Sequence, residues 1–286
     1  MNTFKTFLLM VAMTGLIVLI GNAMGGQEGM IIALGIAAVM NFVGYWFSDK
    51  IILRMYRAKP VTEAEEPQLY RMVENLARRA SMPMPKLYVI PTDAPNAFAT
   101  GRNPHHAAVA VTQGLKTMLD PNEIEGVLAH ELAHVRNRDI LIGSIAATMA
   151  GAIMILGRMA MWGAMFSGRG RDRGGGLMIL LVMIVGYVAA LMIQMAISRS
   201  REYLADETGA KLTGQPSGLA NALRKLEQGA RARPMQAQPE TAHMFIVNPL
   251  TGGGVGGMLR GAFSTHPPIP KRVERLRAME GRSLSL

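Results

Sequence analysis

A chain of 286 residues with no cysteine has no disulfide framework and no thiolate, so any metal it holds must rest on His, Asp or Glu. Half of the residues are hydrophobic and only 17% are charged, a balance that argues against a wholly soluble protein and for one divided between membrane and water. The net charge of +10 comes with no nucleic-acid motif; it is read as anchoring against anionic lipid, which leaves nucleic acid out of the partners.

The chain opens with two apolar stretches, residues 6–26 and 30–47, each near the length a helical span needs. Lys5, an apolar run and "GNA" would also fit a signal peptide, but a second apolar span follows at once, so the pair is read as a hairpin. The intervening "NAMGGQEG" carries no Lys or Arg, whereas Lys50, Arg54, Arg57 and Lys59 follow the second span. The positive-inside rule places that basic flank in the cytoplasm. Residues 1–59 are thus a transmembrane hairpin with a basic cytoplasmic flank.

Residues 60–139 read as soluble. "TEAEEPQLYRMVENLARRA" spaces Leu69, Met72, Val73 and Leu76 for an amphipathic helix, with acids early and arginines late. "PKLYVIP" and "AAVAVT" are β-rich runs bounded by Pro, Gly and Asn, and read as strands. "LDPNEIEGVLAHELAHVRNRD" starts a helix with Asp120 as N-cap, Pro121 at the first helical position and Glu123 closing a capping box.

Two further apolar stretches follow, residues 140–166 and 177–198, joined by "SGRGRDRGGG". The arginines of that loop strain the charge rule, but the first hairpin fixes the topology and the pair is read as spanning, which makes four spans in all. From residue 199 to 286 the chain is polar again. "GLANALRKLEQGARAR" is an amphipathic helix, "PMQAQPETA" a linker, "NPLTGGGVGGMLRG" a flexible loop and "PKRVERLRAM" a short basic helix. The expected fold is a mainly α membrane protein with a small β-sheet and an α+β catalytic domain split by the second apolar pair.

The helix begun at Asp120 carries His130, Glu131 and His134 as H-E-x-x-H. Residues four apart share a helix face, so the two imidazoles can meet one ion. Glu131 lies about 100° around the helix and can take a proton from water activated there. A catalytic zinc needs a third protein ligand. With no cysteine, "SRSREYLADETGAK" offers Glu202, where the chain returns to the same membrane face, and Asp206 four residues on could orient a ligand histidine through its second nitrogen. His105, His106 and His243 are left as non-ligands, and the 24 methionines, unclustered, as adaptable packing.

"AHELAHVRNRD", "SRSREYLADETGAKL", "STHPPIPKRVERL" and "PNAFATGRNP" together resemble the HtpX family of bacterial heat-shock membrane proteases, which is similar to the CAAX prenyl endopeptidases and OMA-type proteases. The resemblance covers nearly the whole chain. It implies a gluzincin-type zinc endopeptidase of the bacterial inner membrane, its catalytic domain facing the cytoplasm. One Zn2+ per chain would sit on His130, His134 and Glu202, with Glu131 as base. The implied task is stress-response quality control, with misfolded or damaged membrane proteins and unfolded proteins as substrates. It also implies that His266 stabilises the oxyanion, where the residues alone equally allow a cap on the final helix. Asn96 is a candidate to hold substrate backbone beside an edge strand, or else a turn asparagine. Asn137 and Asp139 either brace the metal helix or cap its end. The rival classes are a membrane chaperone or scaffold that does not cut and a zinc sensor or transporter. Glu131 beside a ligand argues for hydrolysis, and spans with little polarity beyond Asn22, Asn41 and Gln194 argue against transport.

Overall fold

The computed structural model describes residues 2–152, 199–235, 237, 239–249 and 266–281. Helix α1 (Asn2–Met55) is two helices in series: Gly25 and Gly26 leave helical geometry, Gly26 with φ 59, a left-handed value that glycine adopts without strain. The arms, Phe4–Asn22 and Gly25–Met55, are long and apolar enough to cross a membrane. The arms approach closely at two glycines, where a Cβ on Gly21 would fall 2.4 Å from the carbonyl oxygen of Gly29. Higher up, Asn41 Nδ2 donates to Thr14 Oγ1 at 2.8 Å. Phe7, Ile32 and Val39 point outward and exposed, as lipid-facing residues would. The second arm runs on past residue 47 because Ile52 and Leu53 find a buried partner surface on the catalytic domain, which carries Lys50 and Arg54 onto the helix itself.

The sheet has four strands: β1 (Lys59–Pro60), β2 (Lys86–Ile90), β3 (Ala97–Gly101) and β4 (Ala107–Thr112), in the order β1-β2-β4-β3. Only β2 and β4 are parallel; the other neighbours are antiparallel. The two strands expected from sequence are β2 and β4, and β1 and β3 join them at the edges. Helices α2 (Pro67–Arg79), α3 (Gln113–Met118), α4 (Pro121–Arg136), α5 (Ile140–Ala152), α6 (Arg199–Thr213), α7 (Pro216–Ala232) and α8 (Ile269–Arg277) complete the fold.

α4 is the central element. Asp120 and Glu123 form the expected capping box, each side chain accepting from the other's backbone N–H at 3.0 Å. Val127, Leu128, Leu132 and Val135 are fully buried in the core shared with α2, α6, α7 and the sheet. Glycines set the closest approaches: a Cβ on Gly126 would meet the backbone nitrogen of Leu219 in α7 at 2.5 Å, and one on Gly209 in α6 would meet that of His130 at 3.0 Å.

The expected linker 234–242 runs into a 3-10 turn at Pro239–Met244 whose Thr241 and Ala242 are buried. Phe245 beyond it closes an aromatic trio with Tyr56 and Phe98 at ring separations of 5.1 and 5.2 Å, apolar burial that polar neighbours hid from the sequence. Of the second apolar pair, α5 is seen as an apolar helix. Residues 153–198 lie outside the described residues, and most of the glycine-rich loop does too. Among the described residues two helices, the arms of α1, are long and apolar enough to be expected spans.

Candidate metal centre

α4 presents His130 and His134 one turn apart, and α6 packs against it so that Glu202 faces them. The Nε2 atoms of the histidines are 3.2 Å apart. Glu202 Oε1 lies 3.4 Å from His134 Nε2, and Oε2 lies 3.8 Å from His130 Nε2. Zinc with bonds of about 2.0–2.1 Å in tetrahedral geometry spaces its ligands by about 3.3 Å. The histidine pair and the His134–Oε1 contact match that spacing, and the other Glu202 oxygen, Oε2, stands about 0.5 Å beyond it from His130; one atom from each residue lies within 4.8 Å of the others, and two nitrogens with a carboxylate are the donor set zinc accepts. All three side chains are largely buried.

Glu131 stands beside this triangle and does not join it. Its carboxylate accepts from the backbone N–H of Ala99 in β3, and among the described residues its buried Oε1 has no hydrogen-bond partner. Burial pushes its carboxyl up to about 7 in the metal-free protein. A free, buried carboxylate oxygen next to a metal triangle is what a proton acceptor for water requires. The cleft above has a free volume of about 70 Å³, room for an ion and one or two waters at about 30 Å³ each.

Each histidine is backed by an aspartate and each aspartate by an arginine. Asp206 Oδ1 lies 3.0 Å from His130 Nδ1 and receives Arg272 Nη2 at 2.7 Å, while Arg272 Nε donates to Oδ2 at 2.9 Å. A third donor of Arg272, Nη1, reaches the carbonyl of Ile246 at 3.2 Å. On the other side Asp139 Oδ2 lies 3.4 Å from His134 Nδ1, and Oδ1 lies 3.7 Å from Arg201 Nη1. The turn after α4 makes this possible: Asn137 is the C-cap, Arg138 takes φ 58, and Asp139 N donates back to the carbonyl of His134 at 2.9 Å.

The electrostatics follow from burial opposed by partners. Burial drives His130 down to about 4, which leaves it neutral with Nδ1–H for Asp206 and Nε2 for a metal. Burial works the same way on His134, but hydrogen bonds to Asp139 and Glu202 outweigh it and hold the metal-free ring up at about 10. Burial would raise Glu202, yet His266 and His134 keep it well below the usual carboxylate range. Asp206 is likewise lowered against its burial, chiefly by the charge of Arg272.

His266 lies at the centre, with Nδ1 2.8 Å from Glu202 Oε2 and Nε2 3.0 Å from the carbonyl oxygen of His243. The N-cap of α8 is Pro268, with no side-chain cap. Asn96 is 1% exposed and its amide is engaged inside the protein, donating to the Val247 carbonyl at 2.8 Å and accepting from Ala97 N at 3.1 Å and Val247 N at 3.4 Å. It fastens the 246–247 segment to β3 instead of facing the cleft. His105 and His106 are exposed, and His243 lines the cleft outside the metal triangle. Arg272, Arg201 and the cleft wall at residues 243–246 escaped the sequence reading. One signal was available for Arg272: it shares the inward spacing of Ile269, Val273 and Leu276, a charge on an apolar face.

Two histidines a turn apart on one helix, a glutamate from a later helix and a free carboxylate between them define a metallopeptidase of the gluzincin class. The chain belongs to peptidase family M48, whose profile matches residues 63–280. A protease HtpX homolog from Syntrophobacter fumaroxidans is 58% identical over 285 residues, covering 97% of this chain and 99% of that protein. Another, from Pyrococcus furiosus, is 54% identical over 281 residues, covering 96% of each. Among solved structures, S. mikatae Ste24p shares the fold with a TM-score of 0.52 at 20% identity; the match covers 96% of this chain and 65% of that longer one.

Proposed function

We propose that the chain is an integral membrane zinc endopeptidase that holds one zinc ion on His130, His134 and Glu202. In this reading it cuts misfolded or damaged membrane proteins at the cytoplasmic face of a bacterial inner membrane, as quality control. The observation that carries the catalytic part is the unpartnered Glu131 Oε1 beside donors 3.2–3.8 Å apart. The membrane part is supported by the apolar arms of α1 and by apolar α5, which begins at Ile140, only four residues after α4 ends at Arg136. The basic run from Lys50 to Lys59 supports the cytoplasmic orientation.

Bound zinc supplies Lewis acidity toward water and the scissile carbonyl. The protein does the rest. Asp206 and Asp139 accept from the Nδ1–H groups of the two histidines and so keep each Nε2 lone pair directed at the centre. Glu131 takes the proton of the attacking water at Oε1 and delivers it to the departing amine nitrogen, while Ala99 N–H fixes the carboxylate's orientation. An extended substrate lies along the edge of β3 beside Ala99. His266 turns from Glu202 toward the developing oxyanion as a donor.

The test compares zinc-loaded wild type with Glu131→Gln on an unfolded protein and on a membrane-protein substrate. Wild type should cleave, and the variant should keep its zinc and lose cleavage. Zinc lost together with activity would overturn the role of Glu131. A zinc-loaded wild type that binds such substrates without cutting would favour the scaffold reading.

A further inference from the structure

The two arginines that back the ligand histidines are not equivalent. Arg272 is fully buried, with Nε, Nη1 and Nη2 all given to Asp206 and Ile246. Arg201, one residue before Glu202 on α6, has its side chain 13% exposed and lines the catalytic cleft. Its Nη1 stands 3.7 Å from Asp139, beyond a hydrogen bond, and its Nη2 is buried with no acceptor among the described residues.

A buried cationic donor without an acceptor is costly, and native proteins rarely keep one without a use. A second atom of the same cleft, Glu131 Oε1, is also buried and unpartnered, and its use is to receive a proton. Ala99, Ile140, Phe245 and Ile246 supply apolar wall around them. The complement to a lone N–H donor in such a wall is a main-chain carbonyl oxygen. Every residue of a polypeptide substrate carries one, whatever its side chain.

We propose that Arg201 is a substrate-binding residue: its Nη2 donates to a main-chain carbonyl of the bound polypeptide next to the scissile bond. This rests on the endopeptidase reading. It gives the cleft a grip that is blind to side-chain identity. Arg201 binds the peptide in ground state and transition state alike, so its loss acts on KM.

The experiment uses the full-length zinc-loaded protein and a peptide blocked at both ends. It measures kcat, KM and, separately, zinc affinity by chelator competition. Arg201→Met should raise KM by about tenfold or more, the worth of one charge-assisted hydrogen bond, with kcat within about threefold and zinc affinity unchanged. Arg201→Lys, which keeps a donor and the charge beside Asp139, should recover part of the loss. It also carries the test if the methionine variant fails to fold: a KM above wild type at unchanged zinc affinity supports the assignment. Asp139→Asn should do the opposite and weaken zinc without raising KM. If Arg201 variants weaken zinc and leave KM alone, the residue only braces Asp139 and the proposal falls; unchanged KM and zinc affinity overturn it equally. Failure of the endopeptidase reading looks different, because wild type would then cut nothing.

Discussion

Gly209 is the point where α6 touches the backbone of the metal helix, and adding one methyl there should loosen the metal before it unfolds the protein. A Cβ at Gly209 would stand 3.0 Å from His130 N and 3.2 Å from both Ala129 C and His130 Cα, where ordinary contact begins at 3.4 Å. The helices must therefore part by about 0.2–0.4 Å, and the atoms they meet are backbone, which cannot swing aside. Glu202 rides on α6 and His130 on α4, so the displacement acts on the ligand triangle itself. It approaches the tolerance of about 0.5 Å within which such a site works. Overpacking of this kind costs about 1–3 kcal/mol, while replacing glycine by alanine inside a helix returns about 1 kcal/mol. Gly209→Ala should thus melt within a few degrees of wild type in the metal-free form and bind zinc about tenfold more weakly by chelator competition. Gly229→Ala is the control. Its Cβ would meet the end of Met118 and the ring of Pro95, both at 2.6 Å and neither a part of the metal centre, so it should cost stability and leave zinc affinity alone. Wild-type zinc affinity in Gly209→Ala would refute the idea that this backbone contact sets the distance between His130 and Glu202.

Glu202→Ala should weaken zinc by more than the roughly 10–100-fold typical of a residue behind a ligand, whereas Glu207→Ala, whose exposed carboxylate pairs with Lys211 at 3.0 Å, should bind zinc as wild type does. Equal metal content in the two variants would place the third ligand elsewhere. Replacing residues 140–198 by a short soluble linker should abolish cleavage and most zinc binding. Ser144 of α5 is bonded to Thr100 of β3 at 2.8 Å and the Gly143 carbonyl to His243 at 3.2 Å, so zinc-dependent cleavage by that chain would show the segment to be a tether only. Arg272→Met should cost about 3–5 kcal/mol by leaving Asp206 as an uncompensated buried charge, and adding Asp206→Asn should recover a large share in thermal melting. No recovery in the double variant would trace the loss to the Ile246 contact instead.

What the sequence revealed was local. The capping box, the i,i+4 histidines and the β-branched runs of β2 and β4 each declare themselves within a few neighbouring residues, and Glu202 with Asp206 followed from the same helical arithmetic. β3 did not: "AFATG" is short, alanine-rich and edged by glycine, and only burial from both faces makes it a strand. Arg272 and Arg201 were invisible for another reason. Arginine on a helix is ordinarily solvated, and what holds these two inward lies 66 and 62 positions away, at Asp206 and Asp139. The cleft wall at 243–246 lay between a linker and a glycine-rich loop, and its packing depends on Tyr56 and Phe98, far off in sequence.

Tyr56 stands one residue beyond the end of α1, edge-on to Phe245 and bonded to Thr241 through its hydroxyl. Ile52 and Leu53 of the same helix share its apolar cluster with Phe98 and Phe245. The border between anchor and enzyme, drawn by hydropathy near residue 59, therefore runs through a packed core and not along a hinge. Past the kink at Gly25 and Gly26 the second arm runs as helix to Met55, about 43 Å of stiff rod. A rod whose one end is set in the wall of a cleft is a lever. A change in its tilt, through the thickness of the surrounding bilayer for instance, would bear on Phe245 and the segment that borders the catalytic groups.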